Sequence, residues 1–133
     1  MSNIYSEMIL EYYKHPKNRK HIDNADILNH SHNPLCGDKC DIFIKLSNDK
    51  SKLEEVTFDG EGCAISIASA SMTTLLMKGK TLKEALELDK NELLDMLGIQ
   101  LSPNRLKCAL LGMDTIKNGI RKHLGSNVEF KTQ

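Results

Sequence analysis

The chain has 133 residues, with Lys+Arg and Asp+Glu both at 18 and a formal net charge of zero. That length supports one domain, residues 1–133, which buries roughly two thirds of its unfolded surface without needing a metal or disulfide as a staple. The absence of a basic excess, with three Phe, three Tyr and no Trp, argues against a nucleic-acid partner, which needs phosphate-binding charge and stacking rings.

The periodicity predicts a first helix over Ser2–His15, with Tyr5, Met8, Ile9, Tyr12 and Tyr13 on one stripe. Pro16 stops it, because proline donates no hydrogen bond and disfavours a helical residue before it. Lys17 to Asn33 is mostly polar and reads as an irregular connection, within which a short strand between Asp26 and His30 is allowed. Cys40 to Leu46 alternates with period two, and Leu53 to Asp59 returns as its antiparallel partner across the turn Asn48-Asp49-Lys50. Ile65 to Lys78 is a helix of small residues, closed by Gly79. Thr81 with Glu84 and Asp89 with Glu92 have capping-box spacing and open two short helices, the second ended by Gly98. Ser102 and Pro103 fit the N-cap and first position of a last helix reaching Leu124. Strands followed by helices predict an α+β domain.

Nothing in the sequence has the length and apolarity of a membrane span, and the N-terminus lacks signal-peptide character. The expectation is a cytoplasmic protein without a membrane partner. In a reducing compartment, thiols indicate metal or redox chemistry more often than disulfides. Three cysteines lie at the edges of predicted elements, where a side chain is firmly held yet reachable: Cys36 (in Cys36-Gly37-Asp38), Cys63 and Cys108. With Asp38 they make a four-coordinate set suited to zinc or to the outer positions of an iron–sulfur cluster. The carboxylate is the harder donor and the one most easily displaced.

Each cysteine also has a plainer reading. Cys36 and Asp38 could be turn residues, and Cys63 could be a small buried hydrophobe, although the start of a helix favours a thiolate. On the last helix Leu106, Ala109, Leu110, Met113, Ile116, Ile120 and Leu124 form one stripe. At ~100° per residue Cys108 projects roughly 140° from its centre. A packing role is therefore disfavoured, and Arg105 and Lys107 stand near enough to modulate the thiol. Cys40 shares a strand face with Ile42, Ile44 and Leu46 and reads as core, with a reserve role as ligand should Asp38 not bind. His15, His21, His30 and His32 read as surface, and His123 as structural at a helix C-terminus.

At these motifs the chain resembles the IscU/SufU family, which shares its fold with the N-terminal domain of NifU-like proteins. The matching stretches are Asn33-Pro34-Leu35-Cys36-Gly37-Asp38, Gly60-Glu61-Gly62-Cys63-Ala64-Ile65-Ser66 with Ala68-Ser69-Ala70-Ser71, and Arg105-Leu106-Lys107-Cys108; Tyr12 to Asn18 is similar to the family's first-helix segment. The resemblance implies a small antiparallel sheet of about three strands with helices on one face and a metal site exposed at one end. It carries Cys36, Asp38, Cys63 and Cys108 over as ligands.

It further implies sulfur supplied by a cysteine desulfurase, a transient [2Fe–2S] cluster and delivery to recipient apo iron–sulfur proteins. The SufU branch implies instead Zn2+ and a sulfurtransferase role; Cys36, on the most flexible motif, is then the candidate persulfide acceptor, with Cys108 next. Lys107 stands where the IscU branch has histidine, which leans towards SufU. Met77 to Ser102 is too short for the insertion usual in SufU-type members. Leu101-Ser102-Pro103-Asn104-Arg105 keeps only the leucine and one proline of the IscU chaperone-recognition stretch, which argues against a dedicated Hsp70-type chaperone.

Overall fold

The computed structural model describes residues 3–34 and 37–125. The chain runs α1 (Asn3–Lys14), β1 (Ile27–Asn33), β2 (Asp38–Leu46), β3 (Leu53–Glu61), α2 (Ala64–Met77), α3 (Leu82–Glu87), α4 (Lys90–Leu97) and α5 (Pro103–Gly125). The three strands form one antiparallel sheet in the order β1-β2-β3, so the α+β expectation holds. Alternation gives β2 one buried face, carrying Asp38, Cys40, Ile42, Ile44 and Leu46. Ile42 stands opposite Phe58 and Ile44 opposite Val56 on β3, all four buried.

Local chemistry sets the helix ends. Thr81 and Glu84 form the reciprocal capping box that opens α3. Asp89 caps α4 by accepting from the Asn91 N–H, and Gly98 ends that helix in a left-handed conformation at φ 68°. Ser102 Oγ accepts from the Arg105 N–H ahead of Pro103, as the sequence predicts.

The helices α2 and α5 lie side by side on the buried face of the sheet. Their contact is close because it is made by small residues: a Cβ on Gly112 would sit 3.1 Å from the Cα of Ala70. A Cβ on Gly119 would meet the side chains of Asn29 at 3.1 Å and Ile27 at 3.2 Å, which places α5 equally hard against β1.

The expected irregular connection is corrected in its second half, where β1 occupies Ile27–Asn33 and reaches beyond the allowed strand Asp26–His30. The strand is disguised because its inward positions are polar. Asn29 donates to the Thr115 carbonyl at 3.0 Å, and the Ser31 hydroxyl bonds that of Thr115. Hydrogen bonds to α5 satisfy these inward groups where apolar side chains would otherwise be expected.

Candidate metal centre

The strands β1 and β2 are joined by a tight hairpin closed by the pair Asn33 and Asp38. Gly37, at φ 76°, donates its N–H to the Asn33 carbonyl at 2.8 Å; a side chain at that φ would be strained. The turn delivers Asp38 to the first position of β2, on the face that packs against the helices. The neighbouring strand β3 ends at Glu61, and Gly62 bends the chain into α2, whose N-cap is Cys63. The second turn of α5 brings Cys108 to the same end of the sheet.

One oxygen of Asp38 and the sulfurs of Cys63 and Cys108 all lie within 4.8 Å of one another. Asp38 and Cys108 are 2% and 3% exposed, while Cys63 is half-buried at the mouth. The Cys63 N–H donates to Asp38 Oδ1 at 3.3 Å, and the Cys63 sulfur stands 4.0 Å from Oδ2. The first N–H groups of a helix lack internal partners and favour an anion. Cys63 makes no side-chain cap of its own, so a carboxylate from another element supplies that charge. Gly62 makes the approach possible: a Cβ there would stand 3.0 Å from both Cγ and Oδ1 of Asp38.

These donors open into a cavity of 520 Å3 also lined by Gly37, Glu61, Gly62, Asn104 and Arg105. Two thiols and a carboxylate at this spacing suit zinc or an iron–sulfur cluster. Thiolate donors select both over hard cations.

The structure brings Asp38, Cys63 and Cys108 together, whereas Cys36 lies outside the described residues. The expectation that all the cysteines stay reachable needs correction at Cys108, which is buried. Its helix buries a second stripe, Cys108, Gly112, Thr115 and Gly119, spaced so that they share one face. Counting apolar residues misses a seam built of glycine, threonine and cysteine. Even so, Cys108 is no part of the apolar core cluster, whereas Cys40 belongs to it. Burial pushes the Cys40 thiol up to about 12, reinforced by the nearby Asp41 charge. It stays a neutral structural thiol outside the donor group.

The two basic residues of α5 part company. Arg105 lines the donor cavity, while Lys107 lines a separate 620 Å3 groove with His32, Asn33, Pro34 and Leu110. Lys107, expected to modulate the thiol, therefore does not line the donor cavity. His15, His21, His30 and His32 are exposed as expected. The ring of His21 stacks on Phe43 at 4.6 Å and bonds Asp59 at 2.9 Å. Sequence reasoning overlooked Asn104 and Glu61 as cavity-lining residues. Helical spacing points to Asn104, four residues before Cys108, and strand-end position to Glu61.

Among the described residues no helix is long and apolar enough to cross a membrane. The family model of the NifU-like N-terminal domain matches residues 4–129. The zinc-dependent sulfurtransferase SufU of Bacillus subtilis (strain 168) is 33% identical, with 96% of each chain covered. The iron–sulfur cluster assembly scaffold protein IscU of Escherichia coli (strain K12) is 35% identical, covering 87% of this chain and 91% of that one. A crystal structure from Fervidobacterium islandicum AW-1, described as a putative iron–sulfur cluster assembly scaffold protein for the SUF system, superposes with a TM-score of 0.74. It is 30% identical and covers 88% of this chain and 96% of that one. Motifs, fold and relatives agree: the chain belongs to the IscU/SufU family of iron–sulfur cluster assembly scaffold proteins, built on the NifU-like N-terminal domain.

Proposed function

We propose that the protein is a cytoplasmic scaffold that receives sulfur from a cysteine desulfurase, holds a transient [2Fe–2S] cluster and passes it to apo-proteins. Cys36, Asp38, Cys63 and Cys108 hold the cargo. The observation that carries this reading is the position of Asp38, the oxygen donor grouped with two thiols among the described residues and already bonded to the Cys63 N–H. Three soft sulfurs grip the cargo, and the hard oxygen is the ligand that exchanges. When it lets go, the carboxylate has a hydrogen-bond donor waiting, so release strands no buried charge. Asp38→Ala is expected to leave a more persistent cluster after reconstitution, read as slower decay of the visible sulfide-to-iron bands. Faster decay than wild type overturns the labile-ligand account.

A second reading, a zinc-bound sulfur acceptor, is favoured by the likeness to the Bacillus subtilis sulfurtransferase along 96% of both chains. Lys107 in place of the IscU-branch histidine points the same way. Bound zinc would keep the thiols deprotonated; Cys36 would attack the terminal sulfur of the desulfurase persulfide, breaking its S–S bond and expelling the desulfurase cysteine as a thiolate, with Cys108 as second candidate. The buried position of Cys108 favours Cys36 as the first acceptor. Mass spectrometry of a trapped desulfurase–acceptor mixture is expected to find the persulfide on Cys36, and a persulfide found only on Cys63 contradicts the assignment. Metal analysis separates the two readings: iron with sulfide supports the scaffold, and stoichiometric zinc in colourless protein supports the acceptor.

A further inference from the structure

The cavity at the metal centre is 520 Å3, within the range of pockets that hold small molecules and far more than a single ion fills. Its rim carries two opposite charges. Arg105 and Glu61 both line it, both are exposed, and neither side chain has an ion pair or hydrogen bond with a described residue. Arg105 lies three residues before Cys108 on the same helix face, and Glu61 lies two residues before Cys63. A free cation on α5 and a free anion at the end of β3 thus line the same cavity as Asp38 and the two sulfurs.

We propose that this cavity binds a small zwitterionic amino thiol, of the chemical class of free cysteine. Its carboxylate pairs with Arg105, its ammonium with Glu61, and its sulfur takes the metal position of Asp38. The inference rests on the metal-binding reading above and deepens it by naming an exogenous ligand. In the exchange the metal–oxygen bond to Asp38 breaks and a metal–sulfur bond forms. The thiol proton leaves to the buffer, and no electrons are transferred. A soft sulfur displacing a hard oxygen is the favoured direction on such a metal. The displaced carboxylate keeps the Cys63 N–H, 3.3 Å away, as its partner.

Cobalt(II) loaded in place of zinc gives a direct readout, because thiolate ligation produces ultraviolet charge-transfer bands. L-cysteine, cysteamine (no carboxylate) and 3-mercaptopropionate (no ammonium) are titrated into the cobalt protein. L-cysteine is expected to change the bands saturably, at a half-saturation ~3-fold lower than either analogue, the scale of one ion pair made by an exposed side chain. Arg105→Gln removes the advantage over cysteamine, and Glu61→Gln removes the advantage over 3-mercaptopropionate. Equal half-saturation for all three thiols overturns the proposal, as does an advantage that survives both substitutions. Loss of cobalt to cysteine on equilibrium dialysis also overturns it. Wild-type protein that fails to take up cobalt in thiol-free buffer overturns the metal reading itself and this inference with it. Cobalt held without any response to thiols overturns only the inference.

Discussion

Asp38 and Cys40 are two residues apart on the same face of β2, and both are buried, yet they live in different chemistries. Cys40 faces an apolar cluster with Ile42 and Val56, and burial holds its thiol neutral. Asp38 faces the Cys63 N–H at the start of α2 and two further sulfur donors. Burial alone therefore says little about reactivity. What differs is the balance of groups around each: at Cys40 burial and the Asp41 charge outweigh the one helpful contact, from the Thr115 hydroxyl, whereas Asp38 receives an N–H from the start of a helix. The same contrast recurs at the end of β3 and just beyond it, where Gly60 stands opposite Cys40 and Gly62 lies against Asp38.

The largest effect separating the two regions is expected at Gly60. Its φ of 148° belongs to glycine, and a Cβ would stand 2.1 Å from the Lys39 carbonyl oxygen, a backbone atom with no room to yield. Gly60→Ala should cost on the order of 3 kcal/mol, read as a lowered urea midpoint. A midpoint within error of wild type contradicts the tight strand approach.

At Cys40 the comparison sharpens through pH. Its thiol shifts from 9.0 to about 12 on folding, so the folded state binds the proton more tightly than the unfolded chain. Its contribution is fully present below pH 9 and is lost as the pH rises from 9 towards 12. Wild-type stability should fall across that window, and Cys40→Ala should flatten the fall while itself costing about 1 kcal/mol at neutral pH. Urea titrations at pH 8 and 10.5 check the slope, and parallel slopes for the two proteins contradict it.

The smallest effect is expected at Gly62. The added Cβ would meet the side chains of Asp38 and Ser66 at 3.0 Å rather than backbone, so Gly62→Ala should still fold and cost less stability than Gly60→Ala. Displacing a donor's supporting contacts typically costs 10–100-fold in metal affinity, and about 10-fold weaker zinc binding is expected in a chelator competition. Unchanged affinity contradicts a positioned Asp38.

Much of this division was legible in the sequence, and the exceptions have physical causes. Alternation over Cys40–Leu46 exposed both the strand and the structural role of Cys40, because an apolar face leaves a periodic trace. Capping residues Thr81, Asp89 and Ser102 marked the helix starts because their side chains act on neighbours within three positions. β1 was obscured since Asn29 and Ser31 bury polar groups against Thr115, a bond spanning more than eighty positions. Cys108 lies off the apolar stripe of its helix and stands outside the core cluster. Its burial leaves no periodic trace because glycine and threonine, unlike leucine, do not advertise a packed face. Residue types and motifs revealed the candidate donors Asp38, Cys63 and Cys108. The Asp38 bond to the Cys63 N–H joins residues 25 positions apart and follows only from the fold.

The central claim is that one end of this sheet holds the cargo while the cysteine two residues inside it does not. It is tested most directly by metal and acid-labile sulfide content of anaerobically purified wild-type, Cys63→Ser and Cys40→Ser proteins. The account predicts that Cys40→Ser keeps the wild-type content, whether iron with sulfide or zinc, and that Cys63→Ser loses it. Metal retained in Cys63→Ser, or lost in a folded Cys40→Ser, would contradict it.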